Sequence, residues 1–281
     1  MSVDSRTVLR RVDAAAADLE GRAPAPRYVD PDARRVILGR APIRRAPAAD
    51  AEQVDELVHG EELRVLSADA DWAFGQASRD GYVGFVPTAA LGPGGGRVTH
   101  TLAAPVGLVL EAPDLRAPVR TALFMNALVG AVGEEGRFTR LSCGGFLPTS
   151  HLRSVGAFAA DPVEEAERFL GAPYHWGGRT ALGIDCSGLV QQALYACGRA
   201  CPRDSDQQQG LGAAPPSGLS LKGLRRADLV FWRGHVGMMA DADVLLHANA
   251  HHMAVAAEPV AAAAARIEAG GGGPVTAVRR I

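Results

Sequence analysis

The sequence predicts an α+β chain, in which a helix bearing one cysteine packs on an antiparallel sheet behind two small all-β barrels. Three observations lead there. The segment Asp80 to Leu91 (D-G-Y-V-G-F-V-P-T-A-A-L) is echoed by Ser142 to Leu152 (S-C-G-G-F-L-P-T-S-H-L), so the N-terminal half is built on a repeat. Each copy alternates short apolar strands with Gly/Asp turns and a closing proline, the pattern of a small barrel. After Val155 the pattern turns helical, with Asp161 as N-cap, Pro162 at the first helical position and Glu164 and Glu165 in the first turn.

Taken in order, residues 1–35 read as an N-terminal arm or as a short helix over Thr7 to Leu19, followed by the proline-rich Ala23 to Pro31. Residues 36–92 and 98–155 are the two barrels, joined by the Pro93–Gly96 linker. Residues 158–281 are the α+β domain. Its first helix is expected to stop at Gly171, and a second opens near Cys186 and runs to about Cys197. Asp228 to Trp232, His235 to Ala240 and Val244 to His247 read as strands. An alanine-rich helix from Pro259 to Ala269 and a last strand from Val275 complete the domain.

Composition bounds the function. At 281 residues the chain suits two or three compact units, and 47% hydrophobic content supports real cores. A formal charge of −2 gives no electrostatic case for nucleic acid. The N-terminus lacks the apolar stretch of a secretory signal, and no window approaches the ~20 apolar residues of a membrane span. The expectation is a cytoplasmic protein. Of Cys143, Cys186, Cys197 and Cys201, three read as ordinary small apolar residues; the spacing fits no disulfide framework or zinc site, and neither metal nor cofactor is expected.

Cys186 differs from the other three. It follows Gly183-Ile184-Asp185 and precedes Ser187-Gly188-Leu189-Val190, where a glycine-rich turn becomes a helix. Unpaired N–H groups and the positive end of the dipole there favour thiolate, so its pKa is expected to fall. A core cysteine would not need Asp185, Ser187 and three nearby glycines around it. His235, between two short apolar strands, is the candidate proton acceptor and donor. His247, twelve residues on, can fix the tautomer of His235 as the third member of a triad. His175, His251 and His252 read as surface or supporting residues.

The order Cys186, His235, His247, with Tyr174-x-Trp176-Gly177-Gly178 ahead of Asp185-Cys186-Ser187-Gly188, resembles the NlpC-type cell-wall cysteine peptidases. Residues 161–281 carry the resemblance, and Arg203-Asp204-Ser205-Asp206-x-Gln208 is similar to a cleft-lining segment of the family. Arg226-Ala227-Asp228 departs from the family's usual Pro-Gly-Asp. The two repeats resemble bacterial SH3-like domains. The resemblance implies a pared-down papain-like fold with a Cys–His–polar triad, and a murein-peptide substrate. In relatives with two such barrels it implies cleavage after a free N-terminal L-Ala-γ-D-Glu unit. Carried over, Tyr174 and the Cys186 amide would form the oxyanion site, Asp185 would pair with the substrate ammonium, and Ser187 would hydrogen-bond the substrate. Trp176 joins that binding set, with Glu52 and Tyr82 of the first barrel as amine-reading residues. Two rival readings stand beside this one: a hydrolase of intact peptidoglycan, and a peptidoglycan-binding module whose C-terminal domain is idle. A third is an acyltransferase or amidase on the same fold.

Overall fold

The computed structural model describes residues 4–216 and 218–281; the first three residues of the expected arm lie outside them. The chain divides into two compact units, Met1–Gly156 and Ala157–Ile281.

In the first unit, seven strands form one antiparallel sheet. Its order is Gln53–Val58, Arg40–Arg44, Val83–Pro87, Trp72–Ala77, Glu62–Ala68, Asp32–Val36 and Leu91–Pro93. Alternation along the strands sends Ile43, Leu57, Leu63 and Val86 into one core. Asp32–Val36 pairs with both Glu62–Ala68 and Leu91–Pro93, so the sheet begins before residue 36 and takes in the start of the expected linker. The strand order recurs downstream. Val119–Phe124, Val106–Leu110, Phe146–Pro148, Phe138–Leu141 and Ala131–Glu135 repeat the first five positions, and a three-stranded sheet holds Leu128–Val129, His100–Leu102 and Leu152–Ser154. Both copies pass from the Pro-Thr closure through a single 3₁₀ turn, Thr88–Ala90 and Thr149–His151, into a short strand.

The expected arm helix over Thr7 to Leu19 is not formed. The chain makes a 3₁₀ turn at Ser5–Thr7, a short strand at Ala15–Ala16 parallel to Tyr28–Val29, and a second 3₁₀ turn at Ala17–Leu19. Leu9, Ala14 and Ala16 pack with Leu66 and Phe74, and the Arg11 guanidinium lies over the Phe74 and Phe85 rings, 5.6 and 5.4 Å from their centroids. The Gln76 amide also donates to the Thr7 carbonyl at 2.8 Å. Docking onto the sheet overrides the helical propensity of the alanines.

In the second unit, α1 (Pro162–Glu167) starts as the sequence predicts, with the Asp161 carboxylate accepting the Val163 N–H at 2.8 Å. Helix α2 (Cys186–Ala196) is buried along its whole length. It packs against α1 and an antiparallel sheet ordered Ala254–Pro259, Val244–Asn249, His235–Met239, Leu229–Trp232 and Ala277–Arg279. A short α3 (Ser205–Gln208) follows α2, and α4 (Val260–Ile267) packs against the Val244–Asn249 and Ala254–Pro259 strands. The strand Ala254–Pro259, unread in the sequence, lengthens the sheet by one edge. No helix among the described residues is long and apolar enough to cross a membrane.

Candidate active site

Two turns of backbone set Cys186 in place. Tyr174 bridges Ile184, and the Asp185 amide donates to the Gly178 carbonyl at 3.2 Å, so the Tyr174–Gly178 segment folds back against the start of α2. Gly177 takes φ +74°, a left-handed turn, and presents its N–H to Asp185 Oδ2 at 2.8 Å. Gly188 is required by close approach: a Cβ there would sit 2.4 Å from the Gly178 carbonyl oxygen. The glycines around the cysteine thus let two backbone segments touch.

Asp185 is the N-cap of α2 and has no acceptor site to spare. Oδ1 accepts from the Gly188 amide at 2.7 Å and from Arg203 Nη1 at 3.0 Å; Oδ2 accepts from the Gly177 amide and from Arg203 Nη2 at 2.6 Å. Ser187 Oγ accepts from Arg203 Nη1 at 2.8 Å and faces Asp185 Oδ1 at 3.3 Å. Gln208 donates to the Ser187 carbonyl at 3.0 Å. The Arg203–Gln208 segment therefore buttresses the cysteine loop. The carboxylate to which the resemblance assigns the substrate ammonium thus already accepts four hydrogen bonds from the protein's own donors. The Ser187 hydroxyl is likewise engaged within this buried network.

The nearby sheet supplies the histidines. The amide of Val236, the residue after His235, donates toward the Cys186 sulfur. His235 Nε2 lies 2.8 Å from His247 Nδ1, and His247 Nε2 lies 2.8 Å from Glu258 Oε1. Cross-strand pairing explains the second contact. His247 is opposite Ala256, which places Glu258, two residues on, on the same face of the neighbouring strand. The Arg266 guanidinium of α4 binds the same Glu258 oxygen. Trp232 flanks the His235 ring, with centroids 5.8 Å apart.

Burial dominates the electrostatics. It pushes the Cys186 thiol up to about 12, and the Asp185 carboxylate adds to the rise; the Val236 amide, Arg203 and the Ser187 amide oppose it without overcoming it. The expected fall is overturned, because the sulfur is nearly sealed from water and desolvation outweighs the helix terminus. Burial also carries His235 down to about 3, assisted by His247 and Arg266 and opposed by Asp185 and Glu258. His247 is lowered by burial against the pull of Glu258. Both groups therefore rest neutral, Cys186 as a thiol and His235 as an imidazole.

Tyr174 is partly buried, and its hydroxyl is raised above the ordinary phenol value, first by burial and then by Cys186 and Asp185. Trp176, at 57% exposure, presents its ring to solvent in the same turn. Glu52 and Tyr82 lie in the first unit. Glu52 Oε2 pairs with Arg45 Nε at 2.6 Å, and Tyr82 is buried in the barrel core. The acids Asp55 and Glu56, just beyond Glu52, belong to the strand Gln53–Val58 and are buried. His175 is exposed, while His252 Nδ1 lies 3.0 Å from Asn249 Oδ1. Glu258 and Arg266 escaped the sequence reading. The only local signal was one acid alternating with small residues in A-V-A-A-E-P.

Residues 171–265 match the NlpC/P60 family and residues 43–91 match the bacterial dipeptidyl-peptidase SH3 domain. The chain is 24% identical over 237 residues to dipeptidyl-peptidase 6 of Lysinibacillus sphaericus, covering 76% of this chain and 86% of the relative. It is 34% identical over 119 residues to γ-D-glutamyl-L-lysine dipeptidyl-peptidase of Bacillus subtilis, covering 40% of this chain and 37% of that protein. The crystal structure of an NlpC/P60 family protein from Bacillus cereus shares the fold, with a TM-score of 0.73 at 18% identity over 88% of this chain and 99% of that one. With a buried cysteine at a helix start and a hydrogen-bonded histidine pair on the neighbouring sheet, this chain carries an NlpC/P60 cysteine-peptidase domain over residues 171–265, preceded by a bacterial dipeptidyl-peptidase SH3 domain over residues 43–91.

Proposed function

We propose that the chain hydrolyses the γ-D-Glu–diamino acid bond of murein peptides that carry a free N-terminal L-Ala, as in the recycling of released wall fragments. The hydrogen-bonded His235–His247 pair, on the sheet whose Val236 amide faces the Cys186 sulfur, carries the chemical part of this reading. The names of the two relatives, a dipeptidyl-peptidase and a γ-D-glutamyl-L-lysine dipeptidyl-peptidase, support the substrate. The repeated strand order of the first unit supports reading residues 98–155 as a second SH3-like domain.

In the proposed reaction Cys186 is the nucleophile, His235 its base and His247 the orienting residue. Because thiol and imidazole rest neutral, the proton moves from sulfur to His235 as sulfur bonds the γ-carbonyl carbon. The Tyr174 hydroxyl and the Cys186 amide receive the oxyanion, the first helical N–H being without an intrahelical partner. His235 then protonates the departing amine, and water cleaves the thioester. Asp185, with Arg203, keeps the loop and helix start rigid. Trp176, Ser187, Glu52 and Tyr82 remain the proposed substrate-facing set by resemblance, with Ser187 acting from within the Arg203 network.

Acylating the substrate's terminal amine tests the free-amine requirement. Loss of turnover on N-acetyl-L-Ala-γ-D-Glu-diaminopimelate, with the free peptide cleaved, is expected. Equal turnover of both would sink the dipeptidyl reading and favour the hydrolase of intact peptidoglycan.

A further inference from the structure

The hydrogen-bonded chain that starts at His235 continues past His247. Glu258 Oε1 lies 2.8 Å from His247 Nε2, and the same oxygen accepts from the Arg266 guanidinium. Burial raises the Glu258 carboxyl, but hydrogen bonds from His247 and Arg266 outweigh it and hold it below the ordinary carboxylate value. An ionised carboxylate only accepts hydrogen bonds. The proton in this contact therefore sits on His247 Nε2.

The consequence propagates. His247 is fully buried and neutral, so with Nε2 protonated its Nδ1 is a lone pair. That nitrogen is 2.8 Å from His235 Nε2, which must then carry a proton. His235 is also neutral, so its Nδ1 is left bare. The opposite arrangement would put a proton on His235 Nδ1 and force His247 to point a lone pair at a carboxylate. At 2.8 Å that repulsion is severe.

We propose that Glu258 is a positioning residue for the peptidase reaction: through His247 it fixes His235 as the Nε2–H tautomer and keeps Nδ1 free to take the Cys186 proton. The inference rests on the assignment of Cys186 as nucleophile and His235 as base. In the step itself the thiol proton passes to His235 Nδ1 while the S–C bond forms and the carbonyl π pair moves to oxygen. The imidazolium so formed is stabilised through the His247 ring by the Glu258 charge, and its proton leaves with the amine as the C–N bond breaks. No proton has to reach Glu258.

His247, His252 and Glu258 also bring ligand atoms within 4.8 Å of one another, the spacing of a metal site. The geometry favours the tautomer role, because His247 Nε2 and Glu258 Oε1 are used on each other and a guanidinium sits on the carboxylate.

The test is Glu258→Gln in the full chain, with Glu258→Asp as the charge-retaining partner should the first fail to fold. A glutamine side chain can accept from or donate to His247, so the tautomer lock is lost. Expected are a kcat lower by about 10- to 100-fold with KM little changed, since an orienting group one bond further out than a triad's third member should matter less than that member. The pH profile of kcat should shift, read against the neighbouring groups Asp185, Arg266 and His252. ¹⁵N NMR of the rings in a Cys186→Ala background should show Nε2–H for both histidines when Glu258 is intact, and a mixture of tautomers once Glu258→Gln is added. Unchanged kcat, pH profile and ring tautomers in Glu258→Gln overturn the proposal; so does a lower Tm and kcat with tautomers and pH profile intact, which marks a merely structural role. Turnover by Cys186→Ala would instead overturn the underlying assignment.

Discussion

Arg203 grips Asp185 through two parallel hydrogen bonds, Nη2 to Oδ2 at 2.6 Å and Nη1 to Oδ1 at 3.0 Å, with both side chains buried. A fork on a carboxylate is stiff as well as strong. It locks the residue before Cys186 to one 18 positions further along the chain. Removing one partner leaves a charge stranded in low dielectric, which costs far more than the pair contributes. Arg203→Met should therefore lower stability by about 3–5 kcal/mol, read from urea unfolding midpoints. A loss below about 1 kcal/mol would place this pair with weak surface contacts instead.

Gly188 makes a sharper local test. A methyl group there meets both the Gly178 carbonyl and Asp185 Oδ1, at 2.4 and 3.0 Å, and both are pinned. Gly188→Ala should cost about 1–3 kcal/mol despite alanine's better helix propensity, and depress kcat with it. A stabilised, fully active variant contradicts the close approach. Thermal unfolding and steady-state kinetics decide between them.

The neutral resting pair predicts the pH dependence. The base must be unprotonated to work, and burial carries His235 down to about 3, below the ordinary imidazole value. The acid limb of kcat/KM should therefore lie well below the ordinary imidazole range, and an enzyme-derived acid limb near about pH 6.5 would contradict it. If the substrate binds as an ammonium, activity should also fall above about pH 8, where α-amino groups lose their proton.

Reactivity gives a separate check on the thiol. Cys186 is buried and held neutral, whereas Cys143 is exposed. Without substrate, iodoacetamide should modify Cys143 faster than Cys186, as peptide mapping by mass spectrometry would report. A peptidyl electrophile that fills the cleft should reverse the order. Rapid labelling of Cys186 by the small reagent would restore the helix-terminus expectation of a resting thiolate.

What the sequence disclosed was local. The Gly-Phe-Val-Pro-Thr echo, the Asp161 cap and the start of α2 at Cys186 each rest on neighbours within a few residues. His235 and His247 were legible because they punctuate apolar strands. Glu258 and Arg266 were not, because strand register and the return of α4 bring them to His247. The arm deceived for a related reason: Ala14 to Ala17 reads as helix until Leu66 and Phe74 offer a surface to dock on. The direction of the Cys186 shift also lay beyond the sequence, since a helix start is visible there and burial is not.

The central claim is that Cys186 releases an N-terminal dipeptide from free murein peptides. Mass spectrometry of the products from L-Ala-γ-D-Glu-diaminopimelate and its lysine counterpart, with the intact chain and with Cys186→Ala, tests it most directly. The intact chain should yield L-Ala-γ-D-Glu and the free diamino acid, and Cys186→Ala should yield neither while remaining folded. Cleavage at another bond, or the same products from Cys186→Ala, would contradict the account.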